Sequence, residues 1–149
     1  MISSALVLAL CLGQPAAANI CDHLAPLTRA LGKPDVIPEF TLAGQTVRCQ
    51  HSLAIGGAAS VHCAVPFDFR APLATATFES ALDDATTCGT SLDQTDPDVS
   101  HPDSYDLRRF VLPDATLHIS LKDKGALSQT YIFVRLTGQG GLAASWPIL

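Results

Sequence analysis

The sequence lacks most of the short motifs that mark enzymes. It contains no G-x-S-x-G or S-x-x-K serine motif, no H-E-x-x-H zinc motif, and no glycine loop followed by Lys-Ser or Lys-Thr. Glu39 and Glu79 are its only glutamates, and nothing in the sequence singles out a carboxylate pair of the kind glycosidases use. These absences favour a protein that binds over one that catalyses, and we predict no cofactor.

Long apolar runs are also scarce. The one clear run, residues 5–12, is shorter than the roughly 20 apolar residues that span a bilayer. It lies in an uncharged stretch that ends in the small residues 16–18, which suit a signal peptidase. We therefore predict a signal peptide over residues 1–18 and export to the periplasm or the extracellular medium, with no membrane span after cleavage.

The remaining residues, 19–149, are enough for one domain, and the glycine-containing end over 138–149 suggests a flexible or loosely packed tail. The chain has 9 Lys and Arg against 14 Asp and Glu, so its net charge is −5. Nucleic acids and anionic lipids favour basic surfaces, so neither is an expected partner. Another envelope or secreted protein is the partner that we expect.

The sequence has no C-x-x-C pair, which argues against a redox or zinc motif. Outside the predicted signal peptide it has an even number of cysteines, which predicts two disulfides in a small exported domain: Cys21, Cys49, Cys63 and Cys88. The second predicted helix should run back along the preceding strand, and this favours Cys63–Cys88 with Cys21–Cys49. Cys49–Cys63 with Cys21–Cys88 stays open, because opposed strand residues are close enough to bridge.

Hydrophobic periodicity predicts an α+β fold in the order α-β-β-α-β-β-β. Two helices should pack on one face of a largely antiparallel sheet of about five strands. The helices are predicted at 20–32 and 72–88 and the strands at 46–52, 60–69, 105–112, 116–122 and 129–137.

Residues at helix ends and at turns add detail to this outline. Asp22 should cap the first helix, which would place Pro26 in its first turn. Gly89 should end the second helix in a left-handed conformation.

The first two predicted strands should form a hairpin. Centring its turn on residues 56–57 pairs Cys49 with Cys63 and Val47 with Val65. Pro66 suggests that the second of these strands is an edge or that pairing ends there.

The best candidate for a binding surface is the last predicted strand. Tyr131, Phe133 and Arg135 lie on the face opposite its Ile, Val and Leu residues, and Arg108 and Phe110 are expected to join them from 105–112. Aromatic and Arg side chains are the types that anchor protein interfaces. The alternative is that the first helix or the tail simply buries them.

Three histidines form an alternative candidate site. His62 and His118 project from the polar sides of their strands, and if those strands were neighbours they could share zinc or copper with His51 or His101. The sequence therefore suggests a small exported binding or accessory module, inhibitor-like or adaptor-like, that acts through a sheet face. The alternatives are a metal-binding periplasmic protein, a small metal-dependent hydrolase, or a structural component of the envelope.

Overall fold

The computed structural model describes residues 19–54, 56–92 and 105–139. The predicted signal peptide, His101 and residues 140–149 of the predicted tail lie outside these ranges. Within them are helices α1 (Ile20–Ala30) and α2 (Pro72–Ala85) and a 3₁₀ turn at Gly125–Leu127. The strands are β1 (Glu39–Leu42), β2 (Gln45–Arg48), β3 (Gln50–Leu53), β4 (Ala59–Asp68), β5 (Thr90–Ser91), β6 (Tyr105–Val111), β7 (Ala115–Lys124) and β8 (Gln129–Gly138).

Six strands form one sheet in the order β3-β4-β8-β7-β6-β5, and every neighbouring pair is antiparallel. Strands β1 and β2 form a separate hairpin. The α+β class and the largely antiparallel sheet are therefore confirmed. The strand count is higher than predicted, because β1 and the very short β5 were not recognised and 46–52 is divided between two strands.

One face of the large sheet forms the hydrophobic core with both helices. Alternate residues of the three long strands are buried on this face: Val61, Cys63 and Val65 of β4, Leu117 and Ile119 of β7, and Ile132, Val134 and Leu136 of β8. Leu24, Leu27, Phe78 and Ala81 are among the helix residues that cover them. Burying each large aliphatic side chain contributes about 1.5–3 kcal/mol, so the period-two pattern determines which face the helices cover.

The helix ends differ in detail from the sequence prediction. Asn19, not Asp22, caps α1, because its side chain accepts a hydrogen bond from the Cys21 N–H at 2.9 Å. Pro26 consequently lies inside the helix rather than in its first turn. Neither described helix is both long enough and apolar enough to cross a membrane.

Helix α2 starts at Pro72 as predicted but ends at Ala85. Gly89 has no positive φ, so the left-handed cap was wrong. Close packing favours glycine there instead, since an added Cβ would lie 2.9 Å from Leu112 Cδ2 and 3.2 Å from the Val111 carbonyl oxygen.

The predicted hairpin register is correct near the turn, where Gln50 pairs with His62. Val47 does not pair with Val65, however, because β2 turns back on β1 through Ala43 and Gly44, which both have positive φ. Pairing between β3 and β4 stops at His62, short of Pro66, whose carbonyl instead accepts a hydrogen bond from the Gln45 side chain at 3.0 Å. Strand β4 is therefore unpaired at Pro66 on its β3 side only, because on its β8 side pairing continues through Pro66, which lies opposite Tyr131, to Asp68. The expected edge strand is wrong, since β4 lies between β3 and β8.

The disulfides are Cys21–Cys88 and Cys49–Cys63, so the favoured pairing was wrong and its alternative is correct. Cys49 lies opposite Cys63 across the hairpin, with 4.3 Å between their Cα atoms. The C-terminal end of α2 lies beside the start of α1 rather than beside β4, and the Ile20 N–H donates to the Asp84 carboxylate at 3.3 Å. Helix-to-helix packing therefore brings Cys88 to Cys21.

A buried polar cluster joins the turn after β4 to β7 and β8. The Thr130 hydroxyl donates to Asp123 Oδ1 at 2.6 Å and accepts the Arg70 backbone N–H at 2.8 Å. The Arg70 Nε–H donates to Asp123 Oδ2 at 2.9 Å, although the Arg70 side chain is mostly exposed. These bonds hold Arg70 in a left-handed conformation, with φ of 55°, just before α2 begins.

Candidate binding face of the sheet

The candidate site lies on the second face of the large sheet, opposite the helices, which we call the polar face. Because side chains alternate along a strand, each core residue of β4, β7 and β8 is followed by one that projects onto the polar face. No described helix packs on this face, and most of its side chains are partly exposed. The backbones beneath them are well fixed, since β7 and β8 are hydrogen-bonded on both sides.

Four side chains form a row across the polar face, which we call the Arg/His row. Arg109 of β6 pairs with His118 of β7, His118 pairs with Arg135 of β8, and Arg135 pairs with His62 of β4. Directly opposed residues in antiparallel strands have Cβ atoms about 4.5–5.5 Å apart, so each side chain is next to the following one. Arg135 is exposed and the other three are half-buried.

The charges in the row influence one another. Burial and the neighbouring Arg135 guanidinium lower the pKa of His62 below its usual 6.5. Burial, Arg135 and Arg109 lower the pKa of His118 in the same way. Both imidazoles are therefore neutral at pH 7, and the positive charge of the row comes from its two guanidinium groups.

The side chain of Arg109 contains a buried hydrogen-bond donor, its Nε–H group. Its Nε is buried and has no hydrogen-bond partner among the residues that the structure describes. A buried donor without a partner is unfavourable, and such groups in native proteins call for an explanation. The position of Arg109 in the row makes a bound acceptor one such explanation.

Three aromatic rings stack beside the row. The rings of His62 and Phe133 lie 5.2 Å apart between centroids and those of Tyr131 and Phe133 lie 5.5 Å apart, both nearly parallel. His62 and Tyr131 contact Phe133 from opposite directions along β8, since His62 pairs with Arg135 and Tyr131 precedes Phe133 by two residues. Phe133 is therefore the ring that contacts both of the others in the stack.

A pocket of about 290 Å³ opens beside the stack. It forms because Ser120 is small and lies on β7 between two longer side chains, His118 and Lys122. The described residues that line it include two imidazoles, three cations and no Asp or Glu: His62, Leu107, His118, Ser120, Lys122, Lys124, Phe133 and Arg135.

The structure places Tyr131, Phe133 and Arg135 together on the polar face, as predicted. Arg108 and Phe110 do not join them. The register pairs them with the core residues Ile119 and Leu117, so they lie on the helix-covered face, where Arg108 forms an ion pair with Asp106.

Strand β6 instead contributes Leu107 and Arg109 to the polar face. Sequence reasoning missed Arg109 because apolar residues occur on both faces of β6 and its alternation is weak. The lysines of β7 could have been found, because Lys122 and Lys124 share the parity of His118, which the sequence had already assigned to the polar side.

His62 and His118 are on the polar face but not on neighbouring strands. Strand β8 lies between β4 and β7, and Arg135 separates the two imidazoles. Among the described residues, no three His, Cys, Asp or Glu side chains gather into a group that could hold a metal ion. The condition on which the metal-site hypothesis depended, adjacent strands, is therefore not met.

Comparison with protein-family models, with curated proteins and with solved structures finds no match to this chain. The functional conclusions therefore depend on the polar face itself, with its Arg/His row, its stacked rings and its pocket.

Proposed function

We propose that this protein is an exported, non-enzymatic binding module that uses the polar face to hold another envelope or secreted protein, as an inhibitor or an adaptor does. The observation that supports this most directly is the gathering of Arg109, Arg135, Phe133 and Tyr131 on one sheet face that no described helix covers. Arg and aromatic side chains are enriched at protein interfaces and supply much of the binding energy there.

The rigidity of the platform supports the same proposal. The side chains of the polar face project from strands whose hydrogen bonds hold the backbone on both sides over most of their length. The stack further restricts the Phe133 ring. A surface that is ordered before binding loses little conformational entropy when a partner arrives.

Two features support export. Residues 1–18 have the composition of a signal peptide, with an uncharged apolar run followed by small residues. The domain also contains two disulfides, Cys21–Cys88 and Cys49–Cys63, which form and persist in oxidising compartments.

Site-specific photo-cross-linking in the native envelope tests the proposal. A photoreactive amino acid replaces Tyr131 on the polar face or, as a control, Leu73, which is 62% exposed on α2. We expect one protein to be captured in stoichiometric yield from position 131 and not from position 73. Phe133→Ala should reduce that yield, whereas Phe69→Ala, at an exposed turn outside the polar face, should not.

Equal capture from the two positions, or none from position 131 while the protein remains folded, would show that the polar face is not the interface. Circular dichroism on each purified variant establishes that it is folded. Loss of capture with Phe69→Ala as well would point to a general loss of structure and would likewise count against a specific role for the polar face.

A further inference from the structure

The pocket on the polar face differs in charge from the protein as a whole. The chain has a net charge of −5, yet Arg135, Lys122 and Lys124 are among the described residues that line the pocket, and none of those described residues is Asp or Glu. A concave surface with charge of one sign concentrates ligands of the opposite sign. The pocket should therefore attract anions even though the molecule is acidic.

The cations are spread along the strands rather than gathered at one point. Lys122 and Lys124 lie four and six residues from His118 on β7, and His118 is opposite Arg135. At about 3.3 Å per residue, the backbone positions of these lysines are roughly 13 and 20 Å from the Arg/His row. A single small anion cannot reach from one end to the other, so the arrangement suits an extended ligand with several negative groups.

The spacing also matches that of an extended peptide. Lys122 and Lys124 are two residues apart on one face, a separation of about 7 Å. Alternate side chains of an extended peptide repeat at the same interval. The side chains of a bound extended peptide could therefore lie in step with those of β7.

From these observations we propose that the pocket binds an extended acidic segment of the partner protein, with one carboxylate at Arg135 and another at Lys124. The guanidinium of Arg135 can hold a carboxylate through two parallel hydrogen bonds, which makes it the expected anchor. This inference rests on the proposed function and names the chemistry of the partner.

The test uses the purified full-length mature protein and a fluorescent synthetic peptide in which Glu alternates with Ser. Fluorescence anisotropy should show saturable binding that weakens steeply as NaCl rises from about 25 to 200 mM. A peptide with Gln in place of Glu should not bind. Arg135→Gln should weaken binding roughly tenfold, because it removes a charge-assisted, bidentate contact. Arg135→Lys should weaken binding less, because lysine keeps the positive charge and loses only the bidentate geometry.

Arg48→Gln is the matched control, since Arg48 is an exposed Arg on β2, outside the polar face. Lys124→Gln provides a second variant at the other end of the pocket. Weaker binding by both polar-face variants, with Arg48→Gln unchanged and all three proteins folded, supports the inference. Equal loss with Arg48→Gln would overturn it, because attraction by general charge would then explain the binding.

Other ligands give different results. If citrate displaces the Glu peptide completely while the peptide binds no more tightly than citrate, the site takes a small anion and the inference fails. If an oligothymidylate binds as tightly as the Glu peptide, the face is a general polyanion site and the inference also fails. If sedimentation shows that the protein dimerises through Arg135 and that dimerisation excludes the peptide, the occupant is a second copy.

Failure of this inference can be told apart from failure of the proposed function. If position 131 still cross-links a protein but the Glu peptide does not bind, the polar face is an interface for a partner that is not acidic. If position 131 captures nothing and the peptide does not bind, both proposals fail together.

Discussion

Separate removal of the two disulfides should destabilise the protein by different amounts. Cys21→Ala/Cys88→Ala opens a bridge between residues 67 positions apart, and Cys49→Ala/Cys63→Ala opens one between residues 14 positions apart. A disulfide stabilises the native state mainly by restricting the unfolded chain, and a longer loop restricts it more. The loss should therefore be larger for the first pair.

The chain-entropy relation sets the magnitudes. The short loop corresponds to a loss of about 3 kcal/mol in the free energy of unfolding, and the long loop to about 4.4 kcal/mol. Cys49 and Cys63 are also buried, at 2% and 0% exposure, so removing their sulfur atoms adds a packing loss to the second variant. This loss narrows the difference in stability between the two double variants. We expect each double variant to lose at least about 2 kcal/mol.

Urea denaturation of the oxidised protein and the two variants measures these losses. If Cys21→Ala/Cys88→Ala lost less than about 1 kcal/mol, loop closure would not be what the bridge contributes, and the reasoning would be refuted. An increase in the denaturant slope would be consistent with an unfolded chain that exposes more surface once the bridge is removed.

A tryptic digest without reduction checks the pairing on which this calculation rests. Trypsin cleaves after Arg48 and Arg70 and releases residues 49–70, which contain both Cys49 and Cys63. This peptide should appear two hydrogens lighter than its reduced form, while the peptides that contain the other two cysteines stay joined to each other. The pairing favoured by sequence would instead join all three peptides in one species.

Three further outcomes are expected. Thr130→Val should reduce the free energy of unfolding, measured by urea denaturation, by about 2–4 kcal/mol. The substitution removes a hydrogen bond to the buried Asp123 carboxylate and leaves the Arg70 backbone N–H unpaired. A loss below about 0.5 kcal/mol would contradict this. Gly89→Ala should lose about 1–3 kcal/mol through overpacking, whereas Gly32→Ala, with open space around its Cβ, should lose none; equal melting temperatures for the two would contradict the packing argument. Because the pKa values of His62 and His118 are lowered in the folded protein, the unfolded chain takes up protons first as the pH falls below about 6.5, so the melting temperature should decline there. In His62→Gln/His118→Gln, thermal melts at several pH values should show a smaller decline. An unchanged dependence of melting temperature on pH would refute the lowered pKa values of these two histidines.

Much of the fold was predictable because its cause is local. Strict alternation in 60–69 and 129–137 identified which residues of β4 and β8 enter the core, since a strand with one buried face must place its apolar residues on that face. The start of α2 at Pro72 was predictable for the same kind of reason, because proline suits the first position of a helix. The face shared by Tyr131, Phe133 and Arg135 followed from the same alternation.

The sequence alone could not determine which strands would be neighbours. The placement of β8 between β4 and β7 assembles the Arg/His row and separates His62 from His118, and it depends on how all the apolar faces pack against two helices at once. Arg109 replaced Arg108 on the polar face because β6 has apolar residues on both sides, so only pairing with β7 decides its orientation.

The disulfide pairing was decided in the same way. Cys88 meets Cys21 because α2 ends beside the start of α1, a contact between residues far apart in the chain that no local pattern reveals. The sequence by itself determined the helices, the long strands and the faces of those with clear alternation. Long-range packing, which maximises burial over the whole chain, decided which of those faces lie side by side.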